Sequence, residues 1–455
     1  MTECRRRFMP FGKDFIWGSA TSAYQVEGAA HESDKGDCIW DISSASGNCI
    51  FEGQIGDTAC DHYHRYAEDV ALMAKLKIPY YRFSVNWSRL IPEGTGKVSI
   101  AGRDFYDRLI DELLGHGIAP CLTLYHWELP EALFQKGGFL NRDMAGWFAE
   151  YADVVTRLCR DRVKLYFTFN EPECVIGCGL MEGNHSPYLK MNTKDVLNAA
   201  HHLLLANGDA CEVIRSNVPE VKVGMTHACA IPLPQRPEDE ADAEKLAFSY
   251  NGTMFNNAWF IDPVIFGKYP EYAHEFGTPI DIREGDMERI CRRQDFIGLN
   301  IYHGRPVRRG ADGTLRKVPP HPEVGRSAMN WNLTPESLYY GSKYFYDRYR
   351  IPLIITENGV ALTEWKDENG EILDYSRIDY IRRYLKELER AIDEGIDVRG
   401  YFYWSFMDNF EWTEGYSKRF GLVYVDYKTL ERTPKKSAEY YSSVIATGGE
   451  VIHRK

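Results

Sequence analysis

Short apolar runs rich in β-branched and aromatic residues recur along the chain, separated by longer stretches whose apolar positions repeat with helical spacing. The runs at Tyr80 to Val85, Ala119 to Leu124, Lys164 to Asn170, Val221 to Thr226, Asp295 to Tyr302, Pro352 to Asn358 and Val398 to Phe406 predict seven strands. Phe15 to Ala20 predicts an eighth that precedes them. Between the strands the spacing predicts helices over Tyr66 to Lys77, Gly102 to His116, Asp143 to Arg160, Thr193 to Ser216, Thr334 to Arg348 and Asp374 to Glu394. Strands that are apolar throughout, rather than alternating, suit a parallel sheet covered by helices. Eight strand-helix units close an α/β fold of the (β/α)8 or TIM barrel type, and that is the fold expected. The runner-up, an open doubly wound sheet, would carry a glycine-rich phosphate turn after its first strand. Gly18-Ser19-Ala20 is too sparse for one, and Gly177-Cys178-Gly179 leads to Gly183 at the wrong spacing. No Pro-rich or Gly/Ser linker divides the chain, so residues 1–455 read as a single barrel domain. The Pro-punctuated stretches Pro232 to Ala241 and Arg305 to Asn330 read as insertions after strands, placed to shape the mouth of a site.

Composition narrows the partners. Of the 455 residues 44% are hydrophobic and 13% aromatic, which supplies a large core and excludes a disordered chain. Lys and Arg number 54 against 66 Asp and Glu, a formal charge of -12 that argues against a nucleic-acid partner. The Arg5-Arg6-Arg7 triplet is the concentrated basic feature, and Phe8-Met9-Pro10-Phe11 runs straight into Gly12-Lys13-Asp14 without the apolar core of a secretory signal. A cytoplasmic location is therefore expected. No stretch approaches the ~18 uncharged apolar residues of a membrane span, so no membrane association is expected. The 11 cysteines are scattered without C-x-x-C spacing and read as free thiols in a reducing compartment. Oligomeric state leaves no mark in the pattern.

In a barrel the reacting groups stand at the C-terminal ends of the strands, so those ends carry the candidate chemistry. Strand two ends near Arg82, strand three in Tyr125-His126-Trp127-Glu128 and strand four in Asn170-Glu171-Pro172. Strand six ends in Asn300-Ile301-Tyr302, strand seven in Thr356-Glu357-Asn358-Gly359, and strand eight runs through Trp404 to Trp412. Glu171 and Glu357 lie on facing walls, where one acid and one carboxylate could flank a scissile glycosidic bond. A lone Glu at a strand end serves equally well to start a helix. Two of them beside Asn, His, Trp and Tyr are harder to read that way. Trp127, Trp404 and Trp412 could each be core residues, but together at strand ends they offer flat faces to the apolar side of a sugar.

These residues carry a resemblance. Phe11-Gly12-Lys13-Asp14-Phe15-Ile16-Trp17-Gly18, Ala20-Thr21-Ser22-Ala23-Tyr24-Gln25-Val26-Glu27-Gly28, Asp61-His62-Tyr63-His64-Arg65-Tyr66 and Tyr81-Arg82-Phe83-Ser84 open the match. His126-Trp127, Thr168-Phe169-Asn170-Glu171-Pro172, Gly298-Leu299-Asn300, Ile355-Thr356-Glu357-Asn358-Gly359 and the run to Arg419-Phe420-Gly421 continue it in order over nearly the whole chain. The chain resembles the β-glucosidases of glycoside hydrolase family 1. The resemblance implies a retaining β-glycosidase for terminal β-D-glucosyl residues, with galactosyl or fucosyl residues also within reach, acting through a covalent glycosyl-enzyme intermediate without a cofactor. It implies that Glu171 is the general acid/base and Glu357 the nucleophile, with carboxyl groups about 5 Å apart. Arg82, Asn170, Asn300 and Tyr302 would support them: Arg82 favouring the charged form of Glu357, Asn170 meeting the sugar 2-hydroxyl and Tyr302 holding the nucleophile. Gln25, His126, Trp127, Glu411 and Trp412 would line the glycone pocket over Trp404 as a stacking floor, and Trp331 the aglycone side.

Position 411 bears on substrate. Relatives acting on 6-phosphorylated sugars tend to carry Ser there, with a Lys and a Tyr further along the loop. This chain has Glu411 and Phe420, which favours the free sugar, while Lys418 keeps a 6-phospho-β-glucosidase as the alternative. The chain also departs from the family at Glu173, where Trp is common, at His185-Ser186-Pro187-Tyr188 and at Glu128. Glu173 and the 182–190 loop are expected on the aglycone side. A metal hydrolase is a weaker rival, because His62, His64, His201 and His202 fall at or in helices without HExxH spacing. Gly94-Thr95-Gly96-Lys97 lacks the framing residues of a phosphate loop. A sugar-binding barrel without catalysis would keep the Trp residues and lose a carboxylate, yet both Glu are present.

Overall fold

A computed structural model describes residues 11–454; the Arg5-Arg6-Arg7 triplet and Phe8-Met9-Pro10 lie outside the described residues. Eight parallel strands form a closed barrel: β1 (Ile16–Ala20), β2 (Tyr80–Ser84), β3 (Ala119–Tyr125), β4 (Leu165–Asn170), β5 (Lys222–Ala228), β6 (Ile297–Asn300), β7 (Leu353–Asn358) and β8 (Val398–Trp404). They stand in chain order around the ring, with β1 closing on β8. All eight expected strands are present, and the continuous apolar runs are explained by burial on both faces, as in β4, where every residue is buried.

Helices cover the barrel. Those at His62–Lys75, Ile100–Gly115, Met144–Cys159, Thr193–Asn217, Glu336–Tyr349 and Tyr375–Asp393 match the expected six within a few residues. The helix Tyr375–Asp393 shows why the period was readable: Tyr380, Ile381, Tyr384, Leu385, Leu388 and Ala391 are buried along one stripe. Among the helices the pattern missed, two bear on the barrel and its mouth. Lys436–Ala446 follows β8 and seals the ring, Tyr441 Oη donating to the Gly18 carbonyl of β1 at 2.7 Å. Glu173–Glu182 is a π-helix of 10 residues directly after the β4 terminus.

The two expected insertions follow β5 and β6 and meet each other. Ile231–Pro234, Gly304–Arg309 and Leu315–Lys317 pair into a 3-stranded sheet outside the barrel. Register shifts mark β4 between Phe167 and Asn170 and β7 between Ile355 and Glu357. Bulges at such places re-aim side chains, and both candidate carboxylates stand beside one.

Candidate active site

The mouth is built around Arg82, fully buried on β2. Its Nε donates to Thr123 Oγ1 at 3.1 Å, which fixes the fork from β3. Nη1 donates to Glu357 Oε1 at 2.7 Å and Nη2 to Asn170 Oδ1 at 2.6 Å. One guanidinium thereby joins the ends of β4 and β7. Tyr302 Oη donates to the other Glu357 oxygen, Oε2, at 2.6 Å. Burial and the Glu357 charge hold the Tyr302 hydroxyl well above its ordinary pKa, so it stays a donor.

Across the mouth, Glu171 Oε1 accepts from Asn300 Nδ2 at 2.8 Å and Oε2 from the Cys174 thiol at 3.2 Å. Thr356 Oγ1 donates to Asn300 Oδ1 at 2.6 Å, which orients that amide so that its Nδ2 faces Glu171 and Asn170. The two carboxylates thus have different neighbours. Glu357 receives a cation and a phenol, whereas Glu171 receives an amide and a weak thiol donor. Burial, and after it the charge of Glu357, push Glu171 up to about 8. Burial also raises Glu357, but Arg82 and Tyr302 oppose it by stabilising its charged form. The shared proton therefore belongs on Glu171.

Asn170 is spent as a connector. Its Oδ1 accepts from Arg82 and Asn300, and its Nδ2 meets His126 Nε2 at 3.0 Å. Burial and Arg82 hold His126 well below its ordinary pKa, so its ring is neutral and Nε2 accepts. That ring lies between Trp404, centroids 5.7 Å apart, and Trp412, 6.1 Å apart. Trp127 extends the wall, 4.6 Å from Trp412, and its Nε1 donates to the Asn170 carbonyl at 3.0 Å. Gln25 is held by Ser22 Oγ at 2.7 Å and donates to the Phe410 carbonyl, Asn409 and Glu411. Burial and the Glu357 charge push Glu411 up to about 8 as well. Trp331 stands on the opposite rim, 5.2 Å from the Tyr302 ring and 6.1 Å from Phe420.

The structure thus brings the candidate catalytic and sugar-binding residues into one cluster. It adds Thr123 and Cys174, and it gives roles to Ser22, Thr356 and Asn409, which stand inside the matched runs without a role assigned. Cys174 had a signal of its own, standing three residues after Glu171 where a helix turn would return it. Trp127, Glu171 and Trp412 all hold left-handed backbone, with φ of 86°, 50° and 50°, strain of ~1–3 kcal/mol each that clusters where function requires it.

Glu128 is buried and receives the Tyr24 amide at 3.2 Å, tying β3 to the segment after β1. His185 packs edge-on against Trp40 and Trp127, and Ser186 and Tyr188 bond the Ile39 and Cys49 carbonyls at 2.8 and 3.0 Å. That loop therefore forms one rim with residues 39–49. Glu173, expected on the aglycone side, is instead 1% exposed with both carboxylate oxygens bonded to β5. The four histidines are held singly, His62 by Asp69, His64 by Asp61 and Glu32, His201 by Tyr269 and Asp286, and His202 by the Phe139 carbonyl. Among the described residues no helix is long and apolar enough to cross a membrane.

Carboxylates with divided protonation, facing each other across an aromatic-walled barrel mouth, are the equipment of a glycoside hydrolase. The family model described as Glycosyl hydrolase family 1 matches residues 8–450, and the chain belongs to that family. β-Glucosidase A of Thermotoga maritima is 41% identical over 444 residues, 96% of this chain and 98% of that protein. An aryl-phospho-β-D-glucosidase of Bacillus subtilis is 39% identical, over 97% of this chain and 98% of its own length. The Thermotoga maritima β-glucosidase in complex with deoxynojirimycin superposes with a TM-score of 0.89 at 39% identity, covering 97% of this chain and 99% of that one.

Proposed function

We propose that the protein is a retaining β-glucosidase that removes terminal β-D-glucosyl residues by double displacement. The observation that carries this reading is the unequal hydrogen bonding of Glu171 and Glu357. Glu357, ionised by Arg82 and Tyr302, attacks the anomeric carbon while Glu171 gives its proton to the departing oxygen. Once Glu357 is esterified its charge is gone, and with it the second-largest cause of the raised Glu171 pKa. Glu171 then becomes acidic enough to lose its proton and act as the base that activates water. The same residue serves both half-reactions because its partner's charge alternates.

The glycone reading rests on the Gln25–Glu411 pair and the Trp404, Trp412 and Trp127 wall, which together offer polar anchors and flat apolar faces. The free sugar is favoured over a 6-phosphate. The Lys418 ammonium is engaged by Glu414 at 3.1 Å, and Phe420 is buried against Tyr302 and Trp331. Glu171, Glu357 and Glu411 make the pocket a poor host for added negative charge. The test is kcat/KM on p-nitrophenyl β-D-glucoside and on its 6-phosphate, side by side with EDTA present. At least a tenfold preference for the free glucoside is expected. A preference for the phosphate would overturn the substrate assignment, and sugar binding without turnover of either would replace the enzyme by a binding barrel.

A further inference from the structure

Glu173 stands two residues beyond Glu171 and opens the π-helix. Both of its carboxylate oxygens are committed to β5: Oε1 receives His227 Nδ1 at 2.9 Å and Oε2 the Ala228 amide at 3.0 Å. His227 is itself only 3% exposed. A second stitch lies just beside these, the Glu171 amide donating to the Thr226 carbonyl at 2.9 Å. The Glu171 carbonyl in turn receives the Cys174 and Val175 amides at 2.9 and 3.2 Å. Glu171 itself sits at φ 50°, a conformation that a residue with a side chain keeps only when its surroundings dictate it. Its N–H is therefore fixed by β5 and its carbonyl by the first turn of the helix, and Glu173 fastens that turn to β5.

The charge of Glu173 acts on the same group. The titratable groups facing Glu171 are Glu357 from β7, Glu173 and Cys174 from its own segment, Cys229 after β5, Tyr302 after β6 and Glu411 after β8. Asn300 is its neutral donor from β6. After burial and the Glu357 charge, the Glu173 carboxylate also opposes ionisation of Glu171. We propose that Glu173, locked to β5 through His227 and the Ala228 amide, is a positioning residue that holds the Glu171 backbone and keeps the catalytic proton in place. This rests on Glu171 being the general acid of the preceding section.

Glu173→Gln keeps an acceptor for β5 and removes the charge. The alkaline limb of kcat/KM for an alkyl β-glucoside should then move to lower pH. At pH 8 the alkyl substrate, which needs protonation, should lose about fivefold, while 2,4-dinitrophenyl β-glucoside, which does not, should stay within about twofold of wild type. Labelling by a 2-deoxy-2-fluoroglucoside with the same good leaving group counts the folded sites. His227→Phe, which removes the donor and leaves Glu173 in place, carries the same leaving-group comparison should the Gln variant not fold. An unshifted alkaline limb in folded Glu173→Gln, or equal losses on both substrates in either variant, overturns the proposal. Wild-type inactivity on every β-glucoside would instead remove the acid role of Glu171 itself, so the two failures are distinct.

Discussion

At Glu171 and Glu357 identical side chains meet different neighbours, and the neighbours divide the work. Arg82 and Tyr302 donate to both oxygens of Glu357 at 2.7 and 2.6 Å, so removing that carboxylate takes away the nucleophile they hold. Glu357→Ala should lose about 10⁴-fold or more in kcat on an aryl glucoside, with azide restoring part of the rate and giving the inverted glycosyl azide. Unaltered turnover would remove Glu357 from the mechanism. For Glu171 the sign of the pH dependence follows from its role. An acid held up to about 8 is protonated below that pH, so kcat/KM should be flat near neutrality and fall as pH rises through about 8. Glu171→Ala should abolish that limb and spare substrates with good leaving groups. An alkaline limb unchanged in that variant would assign the limb to another group.

At the scale of elements, the register shifts in β4 and β7 and the close approach of loops place these side chains. Gly359 follows β7, and a Cβ there would lie 1.8 Å from the Trp404 carbonyl oxygen at the end of β8. Gly359→Ala should therefore destabilise by at least ~1–3 kcal/mol and lower activity along with the unfolding temperature, because Trp404 is pushed with its backbone. A variant with wild-type melting and kinetics would contradict that packing. The strands were legible because parallel strands buried on both faces become unbroken apolar runs, and the strand ends then pointed to the mouth. Glu173–Glu182 was not legible, since Pro172, Gly177 and Gly179 read as helix breakers, while the fold uses those small residues close to Ser186 and Phe255. The partners of Gln25 were hidden for another reason. Asn409 and Phe410 are 384 and 385 positions away, and only ring closure between β1 and β8 brings them together. Glu173, a departure from the family's Trp, was expected on the aglycone side, whereas His227 and the Ala228 amide satisfy it inside.

Across the whole molecule, a buried ionic network ties the last quarter of the chain to the mouth. Lys435 donates to Glu364 and, at 2.7 Å, to Asp408, while Arg377 bonds Glu364 and Asp374 and Arg419 bonds Asp408 at 2.7 Å. These groups come from the loops after β7 and β8 and from the starts of two covering helices. Lys435→Met would leave two buried carboxylates short of a cation and should cost ~3–5 kcal/mol, seen as a clear fall in unfolding temperature; an unchanged transition would show the network to be dispensable. The barrel, its bulges and this network serve one arrangement, in which Glu357 bonds to the sugar while Glu171 manages the proton. The direct test is to incubate the protein with 2,4-dinitrophenyl 2-deoxy-2-fluoro-β-D-glucoside and map the adduct by peptide mass spectrometry. One fluoroglucosyl group per chain, carried by Glu357, is the expected result. An adduct on Glu171 or elsewhere, or steady hydrolysis that inverts the anomeric centre without any adduct, would contradict it.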